Sequence, residues 1–118
     1  IIFGLTFKEN CHDIRNSKVV DIYNRLREYG ITPMVIDPWA SEQEAFQEYG
    51  IELKQMDAAE DADCIIFAVA HNEFKSMNLD GINRLYKDVP AAEKVLIDVK
   101  GIFSITDVAK YGFTFWRL

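Results

Sequence analysis

Only two cysteines, Cys11 and Cys64, occur in the sequence, and only two histidines. The cysteines fall in a charged stretch and in the apolar run "DCIIFAVA", with no partner at disulfide or ligand spacing, so both read as free thiols of a reducing compartment. Without a C-x-x-C or an H-x-x-x-H, a metal site has no support. No apolar stretch approaches the roughly 20 residues of a membrane span, and no signal-peptide pattern opens the chain. Positive charge is short as well: 13 Lys and Arg face 19 Asp and Glu, a net charge of -6. That balance opposes the counterion release behind nucleic-acid binding, and no basic stripe offsets it. Neither a membrane nor a nucleic acid is an expected partner. A starting methionine is missing too, and the chain opens directly in strand-like "IIFGLTF", as a fragment of something longer would.

The 118 residues are rich in apolar bulk, 49% hydrophobic, enough for one domain to bury a core without disulfide or metal. Short runs rich in β-branched residues, Ile1 to Leu5, Thr32 to Asp37, Cys64 to Ala70 and Lys94 to Val99, are apolar at consecutive positions, as strands covered on both faces are. Between the first two, Val19, Ile22, Tyr23 and Leu26 recur at helical spacing, with Ser17 placed to cap the start and Gly30 to end the helix. Ser41 to Gly50 reads as a second helix, "IELK" as a minor strand and "MDAAEDA" as a helical turn. Leu79 to Val89 carries Ile82, Leu85 and Tyr86 on one helical face, and "ITDVAKYG" precedes strand-like "FTFWRL". This alternation predicts an α/β fold: a doubly wound, mainly parallel sheet with helices on both faces, Rossmann-like, in a single domain over residues 1–118.

Ligands of such sheets bind beyond the carboxyl ends of the strands, which directs attention to Phe7 to Ser17, Asp37 and Pro38, His71 to Phe74, and Asp98 to Phe103. A dinucleotide fold would place G-x-G-x-x-G after the first strand. Here the lone Gly4 precedes a charged turn about twice as long as the usual connection of 2–6 residues. Lys8 and Arg15 flank a helix start, where they suit an anionic phosphate, although charge alone favours their pairing with Glu9 and Asp13 on a solvated loop. Asp37 sits where a dinucleotide fold carries its ribose-binding acid, but with Pro38 following it reads as a turn former. A receiver domain would need acids where Phe7 and Lys8 stand. His71, a lone histidine at a strand end, reads as a hydrogen-bonding group. Cys11 lies beside His12, yet adjacency along a loop establishes no thiolate base, and it reads as structural. Lys100 adds a cation to the same sheet edge, with Gly101 beside it. The residues alone point to an anion or nucleotide-phosphate site.

The segments "GLTFKENCHDIRNSKVVDIYNRL", "VIDPWA", "AVAHNEF", "LIDVKGIF" and "FTFWRL", in that order and spacing, resemble the C-terminal domain of the UDP-glucose/GDP-mannose dehydrogenase family over essentially the whole chain. "AVAHNEF" and "DVKGIF" look more like the branch acting on UDP-N-acetylhexosamines. His12 departs from the pattern, since many relatives have proline there. The resemblance implies a longer parent enzyme with an N-terminal NAD-binding domain, a helical dimerising segment and this UDP-sugar-binding domain. Such an enzyme oxidises a sugar C6 alcohol to a carboxylate in two NAD-dependent steps through a thiohemiacetal on a cysteine that lies outside this chain. It further implies that Phe7, Lys8 and Lys100 contact the nucleotide-sugar, that Arg15 reaches the NAD pyrophosphate, and that no catalytic residue lies in this chain, which alone is inactive. A cytoplasmic, homo-oligomeric parent serving bacterial surface polysaccharide synthesis is expected. The rival from another class is a stand-alone regulatory or protein-binding α/β module with solvated loop cations.

Overall fold

The computed structural model describes all 118 residues. In chain order the elements are β1 (Ile2–Phe3), α1 (Val19–Glu28), β2 (Val35–Ile36), α2 (Glu42–Tyr49), β3 (Leu53–Lys54), β4 (Cys64–Phe67), α3 (Asn72–Lys75), α4 (Leu79–Asn83), β5 (Val95–Asp98), α5 (Ile105–Ala109) and β6 (Thr114–Arg117). Short 3₁₀ turns at Met56–Ala58 and Ala91–Glu93 complete it. The sheet runs β3-β2-β1-β4-β5-β6 and every pairing is parallel. From β1 the chain steps outward through β2 and β3, then returns to lay β4, β5 and β6 on the other side. The order therefore reverses between β1 and β4, the crevice where open sheets of this kind place ligands.

Consecutive apolar residues are explained by two cores. Ile2, Val35 and Ile66 point into a cluster with Val19 of α1 and Ala45 of α2. Phe3, Ile36, Ile65 and Phe67 point the other way, onto Phe74 of α3, Ile82 of α4 and Val108 of α5. Because side chains alternate along a strand, only a strand covered on both faces buries every residue, and that is the doubly wound layout the pattern predicts. Phe67 is central to the second core, with ring centroids 4.9 Å from Phe3, 6.0 Å from Phe74 and 4.8 Å from Phe103.

Local signals resolve as expected at α2, where Ser41 accepts from the Glu44 amide and Gly50 adopts φ 68° at the C-terminus. At α1 the Gly30 amide closes on Arg27 as expected. The expected helix through Val89 stops at Asn83. Tyr86 is pulled out of helical register by a bridge to Ala62, and its hydroxyl donates to the Val95 carbonyl at 2.6 Å. Tertiary pairing outweighs the helical spacing there. Helix α3 has no helical periodicity long enough to be visible in sequence.

Candidate functional site

The turn between β1 and α1 folds back over the β1/β4 crevice and fills it with side chains. Asp37, one residue past β2 and buried, is the hub. Its Oδ2 accepts from the amides of Leu5 at 2.6 Å and Thr6 at 3.0 Å, and its Oδ1 accepts from the Trp39 amide at 2.8 Å. Nε2 of His71, past the end of β4, lies 3.0 Å from the same Oδ2. Asp37 is thus a turn former, as expected, and its carboxylate is fully buried rather than presented to a ribose. Burial opposes its ionisation, but the His71 N–H and the amides of Leu5, Thr6 and Trp39 outweigh that and hold its carboxyl below the ordinary range.

The fully buried His71 ring is read by its partners. The Asn10 amide donates to Nδ1 at 2.9 Å, so that nitrogen bears a lone pair and the proton sits on Nε2. From there it faces Asp37 Oδ2 and, at 3.1 Å, Thr6 Oγ1. The Thr6 hydroxyl in turn donates to the Lys8 carbonyl at 3.0 Å. The Asn10 side chain accepts from the Asn72 amide at 3.0 Å, stapling the turn to the start of α3. His12, where proline would have stiffened the turn, instead approaches the Trp39 carbonyl with Nδ1 at 2.7 Å and lies against the indole at 5.0 Å. Trp39 Nε1 donates to Glu73 at 2.9 Å.

Ser17 lies one residue before the assigned helix cap. Its hydroxyl donates to the Leu5 carbonyl and accepts from the Val19 amide at 3.2 Å, so the first turn of α1 is partly satisfied from within. The phosphate-binding arrangement of a dinucleotide fold, glycine backbone against an open helix N-terminus, is therefore absent, and the residues of this crevice do not fit a dinucleotide. Side chains carry the positive charge instead. Lys8 and Lys100 are exposed and have no carboxylate partner. They follow β1 and β5, the strands on either side of β4, and so rise from one edge of the sheet. Phe7, 55% exposed, stands beside Lys8 on a turn closed by its own amide donating to the Asp13 carbonyl at 2.7 Å. Arg15 forks onto Asp13, with Nε to Oδ1 at 3.0 Å and Nη2 to Oδ2 at 3.1 Å. Of the paired cations anticipated from charge, only Arg15 is paired. The buried carboxylate of Asp98 accepts from the amides of Ile102 at 3.0 Å and Phe103 at 2.9 Å, which shapes the turn carrying Lys100. Gly101 in that turn is crowded by Arg117, whose guanidinium lies 2.7 Å from where a Cβ would be.

Sequence reasoning missed Thr6, Asn10, Trp39 and Asp98 as organisers. Asp98 had a visible signal, an acid closing an apolar strand before a glycine turn. The other residues had none, because their partners lie up to 65 positions away. Cys11 and Cys64 are free, burial pushes the Cys64 thiol up, and no group of residues is arranged to hold a metal. No helix is long and apolar enough to cross a membrane.

Acid should loosen this hub. An unfolded aspartate titrates at about 3.9, and the folded Asp37 lies lower, so its stabilisation is complete above about pH 5 and is lost as pH falls through the unfolded value and on through the folded one. Urea midpoints measured on acidification should fall more steeply for the native chain than for Asp37→Asn. Coincident slopes would show that the carboxylate contributes nothing.

A doubly wound parallel sheet whose first turn carries side chains in place of a glycine loop belongs to the Rossmann-like class but stands apart from its dinucleotide-loop members. The UDP binding domain of the UDP-glucose/GDP-mannose dehydrogenase family matches residues 1–105, and the chain belongs to that family. It is 50% identical over 100 residues to the UDP-N-acetyl-D-glucosamine 6-dehydrogenase of Pseudomonas aeruginosa, covering 85% of this chain and 23% of that protein. To Protein CapL of Staphylococcus aureus it is 38% identical over 117 residues, 99% of this chain and 26% of that protein. The structure of a UDP-D-ManNAc dehydrogenase from Pyrococcus horikoshii superimposes with a TM-score of 0.74 at 26% identity, covering 98% of this chain and 24% of that one. The chain thus spans about a quarter of the length of these relatives. The names of the Pseudomonas aeruginosa and Pyrococcus horikoshii proteins fall in the UDP-N-acetylhexosamine branch to which "AVAHNEF" and "DVKGIF" pointed.

Proposed function

We propose that this chain is the C-terminal UDP-sugar-binding domain of an NAD-dependent UDP-sugar 6-dehydrogenase that serves bacterial surface polysaccharide synthesis. The observation that carries it is the exposed, unpaired Lys8 on a tethered turn at the β1/β4 crevice, in a chain whose family match is to a UDP binding domain. In this reading Phe7 packs on the nucleotide-sugar, Lys8 meets its diphosphate, and Lys100 meets the ligand from across the end of β4. The rival, a stand-alone regulatory module, has no observation in its favour beyond the Arg15–Asp13 pair.

The parent enzyme is then a cytoplasmic homo-oligomer that converts a sugar C6 alcohol to a carboxylate, and its NAD is held mainly outside this chain. That division agrees with a crevice that does not fit a dinucleotide. Arg15 is the residue offered towards the NAD pyrophosphate, since a planar guanidinium already forked onto the Asp13 carboxylate can hold phosphate oxygens the same way. The chain by itself turns over neither NAD nor a UDP-sugar.

The test is to make Lys8→Ala, Lys100→Ala and Arg15→Ala in the full-length parent and titrate UDP-sugar and NAD separately. Charge-assisted contacts of roughly 1.5–3 kcal/mol correspond to affinity losses of about tenfold to a hundredfold. The lysine variants should lose UDP-sugar affinity and the arginine variant NAD affinity, with thermal stability nearly unchanged. Unchanged affinities for both ligands in all three variants would mean that these are solvated loop charges.

A further inference from the structure

We propose that His71 is a positioning residue: its neutral ring brackets Lys8 and sets the height and direction at which the Phe7–Asp13 turn presents Phe7 and Lys8 to the nucleotide-sugar. The geometry is specific to histidine. Through Nε2–H the ring reaches Thr6, two residues before Lys8, and Thr6 itself holds the Lys8 carbonyl. Through Nδ1 it receives the amide of Asn10, two residues after Lys8. One rigid group, anchored to Asp37 and packed 5.4 Å from the Phe74 ring and 5.9 Å from the Trp39 ring, therefore contacts the turn on both sides of its exposed cation.

Neutral histidine offers one donor and one acceptor at a fixed separation: Nδ1 accepts from the Asn10 amide, and the single Nε2–H is shared between Asp37 Oδ2 and Thr6 Oγ1. A turn this long would otherwise sample many conformations, and a flexible lysine would lose that freedom on binding. Asn10 adds to the fit, because it stands at φ 52°, a conformation asparagine tolerates, and its side chain is tied to the Asn72 amide. His71 touches no ligand in this scheme and acts only through the turn.

The inference rests on the reading of Lys8 as a nucleotide-sugar contact, and the experiment separates the two. Asparagine keeps an acceptor at the Nδ1 position and lacks the donor, whereas glutamine reaches the Nε2 position with a donor and lacks the acceptor. In the full-length parent, His71→Asn, His71→Gln, Asn10→Gly and Lys8→Ala are compared for UDP affinity by calorimetry, for melting temperature, and for hydrogen exchange at the Asn10 amide. His71→Gln should free the Asn10 amide to exchange and weaken UDP about tenfold, while His71→Asn keeps the amide protected and stays within about threefold of the native affinity. Asn10→Gly, on the exposed turn, should fold normally and weaken UDP severalfold, which covers the case in which both His71 variants are too unstable to assay. Native UDP affinity in His71→Gln or Asn10→Gly, or equal losses in the two His71 variants that follow their melting temperatures, would overturn the proposal. If Lys8→Ala left UDP binding unchanged, the functional reading would fall and the positioning role with it, whereas intact Lys8 dependence with a silent His71→Gln sinks the positioning role alone.

Discussion

Replacing Asp37 by alanine should destabilise the chain by about 3–5 kcal/mol, because it leaves buried donors with nothing to bind. The amides of Leu5, Thr6 and Trp39 and the His71 Nε2–H all converge on this one carboxylate. Water cannot easily replace it, since Thr6, Asp37 and His71 are all buried. For a chain of this size the loss corresponds to a melting temperature lower by on the order of 10–20 °C. Asp37→Asn should lose less: it retains a carbonyl oxygen for part of the set, but brings an NH₂ group against donors. Thermal melts and urea titrations of the three proteins decide the matter. A loss below about 1 kcal/mol for Asp37→Ala would mean that the turn is held by other contacts.

Gly4→Ala should be damaging for a different reason, the absence of space. Gly4 joins β1 to the turn at φ 107°, and a Cβ there would lie 2.6 Å from the Val69 Cβ and 2.9 Å from the Val69 backbone nitrogen. The Gly4 amide also donates to the Ile36 carbonyl at 2.8 Å, so the strand end cannot move away without breaking its pairing with β2. Overpacking of about 1–3 kcal/mol and backbone strain of about 1–3 kcal/mol should act together, a total of roughly 2–6 kcal/mol. Gly50→Ala is the control: its φ is 68° but nothing lies within 4 Å of the new Cβ, so only the left-handed backbone cost of about 1–2 kcal/mol applies. Equal stabilities for the two variants would show that the close approach to Val69 is relieved by small shifts. The contact matters for the site because Val69 lies two residues before His71, so Gly4 sets how closely the turn leaves β1 beside the imidazole.

Comparison of particular segments shows how far local pattern reaches. Ser41 and Gly50 delimit α2 as their residue types require, and "IELK" and "FTFWRL" do form the edge strands β3 and β6. The expected strands are longer than the observed ones: Thr32 to Asp37 pairs in register only at Val35–Ile36 and Ile1 to Leu5 only at Ile2–Phe3, with single bonds from Ile1, Gly4 and Met34 reaching one residue beyond. Leu85 and Tyr86 have helical spacing yet leave the helix, since the Tyr86 hydroxyl finds its acceptor on β5. At the site, the placement of Lys8 and Lys100 just past strand ends is legible in the sequence, because it follows from where the apolar runs stop. Arg15 lies in the same charged turn, and its pairing with Asp13 rather than a free guanidinium is decided by the course of that turn.

What the sequence determined by itself is the layer architecture and the exclusion of a dinucleotide loop. Both follow from local facts: consecutive apolar positions demand cover on two faces, and a turn with no glycine after Gly4 cannot bring bare backbone to a pyrophosphate. Only the tertiary structure decided that the crevice is filled by Thr6, Asn10, Asp37 and His71 and that Lys8 rides on them. Those residues come from three separate strand ends. Each is unremarkable in its own segment, and their bonds exist only because the strand order β2-β1-β4 brings those ends side by side. Hydrophobic periodicity specifies which face of a strand is buried but not which strand is its neighbour, so a hydrogen-bond network running across the sheet edge has no signature along the chain.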